Sequence, residues 1–125
     1  MNSHNDVSST WCIAHYAQEI ANLHFEEFEK TPSQPLIPKQ YNLDNVDSSK
    51  VALFHGDKDI YNNDKNIKRL IYALESNNRK LLEDYKVPCG NWTHTDYIKA
   101  VDQGKCVNSK VLQLLNNVNG GSTFK

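Results

Sequence analysis

Apolar positions change their spacing several times along the chain, and each change marks an element. Ile13, Ala17, Ile20, Ala21, His24 and Phe28 recur at three- and four-residue intervals. One helix face has that period, so the spacing predicts an amphipathic helix from Trp11 to about Phe28, capped by Ser9 or Thr10. Its expected polar face carries Glu19, Glu26, Glu27 and Glu29. Prolines at 32, 35 and 38 then remove backbone donors and bias their predecessors away from helix, which makes residues 30–50 an extended connection. Val51-Ala52-Leu53-Phe54-His55 is a short apolar run without alternation, closed by Gly56, the pattern of a strand buried on both faces of a parallel sheet.

A second helix is signalled by Asp64 as cap and by the stripe Ile67, Leu70, Ile71 and Leu74, stopping at Ser76-Asn77-Asn78. Leu81, Leu82, Tyr85 and Val87 predict a second strand that ends at Pro88 and opens a loop from Cys89 to about Thr95. A last helix is expected over 109–118, with Val111, Leu114, Leu115 and Val118 inward. Residues 1–9 and 119–125 read as flexible tails around one α/β segment, 10–118. Two parallel strands with flanking helices fall short of the roughly five strands usual in an open sheet, and buried-type strands need neighbours. The pattern therefore reads as part of a larger sheet.

A length of 125 residues has room for one core, and 38% apolar against 23% charged residues is enough to build it. A net charge of −1 supplies no basic field, so no nucleic-acid partner is expected. No apolar run approaches the roughly 18 to 20 residues of a membrane span, and residues 1–6 lack the basic-then-apolar form of a secretion signal. Paired asparagines such as Asn62-Asn63 and Asn116-Asn117 read as turn formers. Cys12, Cys89 and Cys106 allow at most one bridge and show no C-x-x-C, which argues against a disulfide scaffold and a structural zinc site. No metal or other cofactor is expected. Cys106 is expected to be an inert buried thiol.

In open α/β sheets, functional groups collect beyond the carboxyl ends of the strands. Two loops qualify, His55-Gly56-Asp57-Lys58-Asp59 and Asn91-Trp92-Thr93-His94-Thr95-Asp96. A carboxylate from the first, Asp57 or Asp59, can hold one ring nitrogen of His94 and leave the other as a general base. A calcium loop starting at Asp57 fails, since the glycine and terminal acid it needs fall on Asn62 and Lys68. His15, His24 and His55 read as structural. Asn91-Trp92-Thr93 has the N-glycosylation pattern, but a glycan there would crowd the histidine, so it is expected to go unused.

Four stretches carry a family resemblance: Trp11-Cys12-Ile13-Ala14-His15-Tyr16-Ala17-Gln18, Pro38-Lys39-Gln40-Tyr41-Asn42-Leu43, Val51 to Asp59, and Thr93-His94-Thr95-Asp96-Tyr97-Ile98. Together, Trp11 to about Asn117 resembles the C-terminal end of the acid lipases, the α/β-hydrolases that include gastric and lysosomal enzymes. The resemblance implies the C-terminal portion of an α/β-hydrolase sheet, with Asp59 as triad acid and His94 as triad histidine, in the chain order of that fold. It implies a lipid ester substrate, acylglycerol or sterol ester, transient contact with a lipid surface, and a secreted or lysosomal setting. Thr95, Lys99 and Lys50 depart from the family pattern, as does the long interval from Asp59 to His94. No serine lies in a G-x-S-x-G elbow, so the 125 residues hold two of three triad members and are not expected to catalyse alone. The competing expectation is a catalytically inactive remnant or small interaction protein using the acidic helix face from Glu19 to Glu29.

Overall fold

A computed structural model describes residues 9–29, 38–76 and 78–120. Residues 1–8 and 121–125 of the expected tails 1–9 and 119–125, the prolines at 32 and 35, and Asn77 lie outside the described residues. The chain forms two compact units, divided between Asn42 and Leu43.

In the first unit, helix α1 spans Thr10–Asn22, and the Ser9 hydroxyl caps it by accepting from the Trp11 N–H. The helix stops well short of Phe28 because Leu23 adopts a left-handed conformation, φ 58°, and returns its N–H to the Glu19 carbonyl. The chain then reverses, and Glu26 forms an antiparallel bridge with Gln40. Phe28 fits the helical spacing yet packs from outside the helix, 5.2 Å from the His15 ring and 5.7 Å from Trp11. Glu26, expected on the polar face, is instead buried at 2% exposure, with its carboxylate accepting from the Gln18 and Asn22 side-chain amides. Those two bonds hold its carboxyl below the usual range. The expected acidic helix face is therefore not formed: of Glu19, Glu26, Glu27 and Glu29 only Glu19 lies in α1, and Glu26 turns to the interior.

The second unit is mixed α/β. Strand β1, Ala52–His55, pairs in parallel with β2, Glu83–Lys86, and His55 sits opposite Lys86. The unit's α-helices among the described residues are α2 at Asp64–Leu74, the short α3 at Asp96–Lys99 and α4 at Ser109–Val118. Short 3-10 turns at Leu43–Asn45 and Ser48–Lys50 break the expected extended connection. All four β1 residues are only half-buried, so the expectation of burial on both faces is not met. Two strands and short helices cannot cover both sides. The second strand is shorter than Leu81 to Val87 implied, although Leu82 N–H still reaches the Val51 carbonyl and Val87 N–H the His55 carbonyl.

Helix α2 is capped by Asn63, not Asp64. The Asn63 side chain accepts from the N–H groups of Lys65 and Asn66 from an extended conformation, as a cap requires. Asp64 is already helical and pairs with Lys86 at 3.4 Å. A π-helix at Gly104–Asn108, which no periodicity announced, leads into α4 and buries Cys106 and Val107. These two join Val87 and Trp92 as the core behind the second strand-end loop, with Phe54, Tyr85 and Tyr97 packed against it. Cys106 is not a thiol: it is bridged to Cys89, with Cα atoms 5.9 Å apart. Among the described residues, no helix is long and apolar enough to cross a membrane.

Candidate active site

Because β1 and β2 run parallel, the loops that follow them leave the same end of the sheet. Gly56 lets them touch: a Cβ there would stand 2.4 Å from the Trp92 carbonyl oxygen. That carbonyl accepts from the Lys58 N–H at 3.0 Å. Asp57 accepts from the Trp92 N–H at 2.8 Å and the Asn91 N–H at 3.3 Å, so it clamps one loop to the other through the backbone. Trp92 itself is sunk into the core at 4% exposure, edge-on to Tyr97.

Asp59, two residues further, does something different. Its Oδ1 accepts from the Tyr61 and Asn62 N–H groups at 2.9 and 3.2 Å, and its Oδ2 lies 3.1 Å from His94 Nδ1. Strand-end position leaves Asp57 and Asp59 equivalent; the geometry places the imidazole on Asp59 and the backbone clamp on Asp57. The Asp59 side chain is 4% exposed and that of His94 is 54%. Burial pushes the Asp59 carboxyl up, but the His94 bond and the two backbone N–H groups outweigh it and hold the group below its usual range. The Tyr61 ring stands edge-on to His94 at 4.9 Å. Asp96 closes the loop from behind by accepting from the Thr93 N–H and hydroxyl at 2.6 and 2.7 Å.

A buried, ionised carboxylate on Nδ1 favours the tautomer that carries its proton there, which leaves Nε2 as the basic nitrogen. No hydrogen bond to Nε2 is formed among the described residues. The pair can therefore accept a proton at Nε2 and stabilise the resulting cation. Tyr97 adds a hydroxyl that is buried with no hydrogen-bond partner among the described residues, and burial together with the Asp59 charge pushes its pKa up to about 12.

The other histidines are placed elsewhere. His55 Nε2 meets Asp84 at 3.0 Å across the strands, and His15 Nε2 meets the Glu26 carbonyl at 2.8 Å. Among the described residues, no group of three or more His, Cys, Asp or Glu side chains could hold a metal ion, and the disulfide consumes the Cys89 and Cys106 thiolates that zinc would need. A shallow depression along α2, lined by Asp64, Lys65, Lys68, Arg69, Tyr72 and Ala73, shares no residue with the Asp59 and His94 pair. Sequence reasoning missed the Asp57 clamp and the disulfide. The cysteine count allowed one bridge, but spacing alone could not say which. No family model, curated protein or solved structure matches the chain.

Proposed function

We propose that these 125 residues are the acid-and-histidine portion of an acid-lipase-like α/β-hydrolase that cleaves lipid esters, with the nucleophilic serine on residues outside this sequence. The carrying observation is the 3.1 Å contact of His94 Nδ1 with a buried, ionised Asp59 at the shared end of two parallel strands. In this reading β1 and β2 are the last two strands of the hydrolase sheet. His94 Nε2 takes the serine proton as the hydroxyl attacks the ester carbonyl and returns it to the leaving alcohol, while Asp59 holds the imidazole and stabilises its cation. Ile60, Ile98 and Val101 lie near these residues in sequence and expose their side chains, which suits an acylglycerol or sterol ester presented at a lipid surface.

The test is capture of the natural polypeptide with an antibody to residues 100–118, followed by a fluorophosphonate probe that labels activated serines. The expected result is one labelled polypeptide, or one tight complex, containing both the adduct and the His94 peptide. An unlabelled product with no associated serine hydrolase would overturn the reading.

A further inference from the structure

We propose that Asn91 is an N-glycosylation site. Asn91-Trp92-Thr93 is the only Asn-x-Ser/Thr pattern with a non-proline middle residue in the 125 residues, and two independent structural observations bear on it. The first is the Cys89 to Cys106 disulfide, which closes around this loop. Disulfides persist in the oxidising secretory route, the compartment where asparagine glycosylation takes place. The second is the turn. Asn91 has φ 64°, its N–H is directed to Asp57, and its side chain is exposed, with no hydrogen bond to its amide among the described residues. Trp92, next in sequence, goes the opposite way into the core. The backbone is thus consumed inward while the amide is left facing water.

The sequence alone argued against use of this site because a glycan would crowd His94. The fold bears on that objection: His94 is held to buried Asp59 through Nδ1, and Asn91, three residues earlier and at positive φ, exposes its own side chain to solvent. The reaction needs a co-substrate of one chemical class, an oligosaccharide on a polyprenyl diphosphate. Asn91 Nδ2 bonds to the anomeric carbon, the bond from that carbon to the diphosphate oxygen breaks, the diphosphate leaves with the electron pair, and the amide gives up one proton. The proposal stands on the turn and the disulfide and does not depend on ester hydrolysis.

The experiment is peptide mass spectrometry on protein purified from its own source. Trypsin should release residues 87–99 joined through sulfur to residues 106–110. After reduction, the 87–99 peptide should carry hexose and N-acetylhexosamine mass, and peptide-N-glycosidase in heavy-oxygen water should convert Asn91 to labelled Asp. Partial occupancy supports the site; recovery of 87–99 only as unmodified Asn91 overturns it. In a secretory host, Asn91→Asp, which tolerates the left-handed turn, should collapse the glycosidase-sensitive band to the deglycosylated mobility. Thr93→Ser, which keeps a hydroxyl for Asp96, should retain it. Identical mobility of wild type and Asn91→Asp would also overturn the proposal.

Discussion

Among the described residues, two buried carboxylates lie beside histidines, one in each unit, and only one of them bonds an imidazole ring. Glu26 gives its carboxylate to the amides of Gln18 and Asn22, and His15 bonds to its backbone carbonyl instead. Asp59 gives one oxygen to two backbone N–H groups and the other to the His94 ring, which stays half-exposed. Burial and a nearby imidazole are common to both. What separates them is whether an imidazole ring bonds the carboxylate itself, and how far that ring is exposed.

The largest effect that tests this contrast is catalytic. Under the proposed hydrolase reading, in a polypeptide that supplies the serine, Asp59→Asn should lower kcat by about four orders of magnitude, because the amide favours the wrong imidazole tautomer. Glu26→Gln should leave kcat unchanged and lower only the melting temperature, since its bonds are structural. Steady-state ester hydrolysis alongside thermal melts separates the two outcomes, and an equal loss of kcat in both variants would erase the distinction.

Next in size is the covalent brace, which belongs to one region alone. Replacing Cys89 and Cys106 together with serine should cost about 3 kcal/mol, the chain-entropy value for a loop of this length. Hydrogen exchange should speed up in residues 91–96 and leave the amides of Glu27 and Tyr41 unchanged, because their bridge bonds belong to the other unit. If both regions loosened together, the disulfide would have a wider role than holding the histidine loop.

Much of this arrangement was readable from residue order. The apolar run before Gly56, the stripe in α2 and the sequence around His94 located both strand ends, and parallel strands implied that His94 meets Asp57 or Asp59, of which only the family resemblance favoured Asp59. The failures have local causes. Leu23 took a left-handed conformation that helix periodicity does not register, so α1 ended early and Glu26 turned inward. Asn63 and Asp64 are both good caps, and only backbone dihedrals distinguish the extended residue from the first helical one. Residue order alone left Asp57 and Asp59 equivalent, because backbone N–H directions in a turn, which side-chain identity does not encode, set which of them meets His94.

Acid titration sharpens the comparison further. Both carboxyls are held below their ordinary values, so each contributes stability that is complete above roughly pH 4, near the unfolded pKa, and is lost as pH falls through the folded one. His94→Gln removes a ring bond from Asp59 and should move the Asp59 titration upward while leaving Glu26 in place. Carboxyl carbon chemical shifts followed against pH read both groups in one sample. A shift of Glu26 comparable with that of Asp59 would mean that the two sites are not separately set.

The smallest expected difference lies in the helix caps. Ser9 holds α1 through a single bond of 3.3 Å to the Trp11 N–H, whereas Asn63 accepts two N–H groups at 3.1 Å each. Cap removal costs about 1 kcal/mol on average, and the number of donors satisfied sets where within the range a given cap falls. Asn63→Ala should therefore cost about 1 kcal/mol and Ser9→Ala roughly half of that, read from denaturant midpoints at constant slope. Asn63 also begins α2 directly after the Tyr61 and Asn62 N–H groups that Asp59 accepts. Its loss should loosen the dyad as well, visible as broadening of the His94 ring resonances in Asn63→Ala and not in Ser9→Ala.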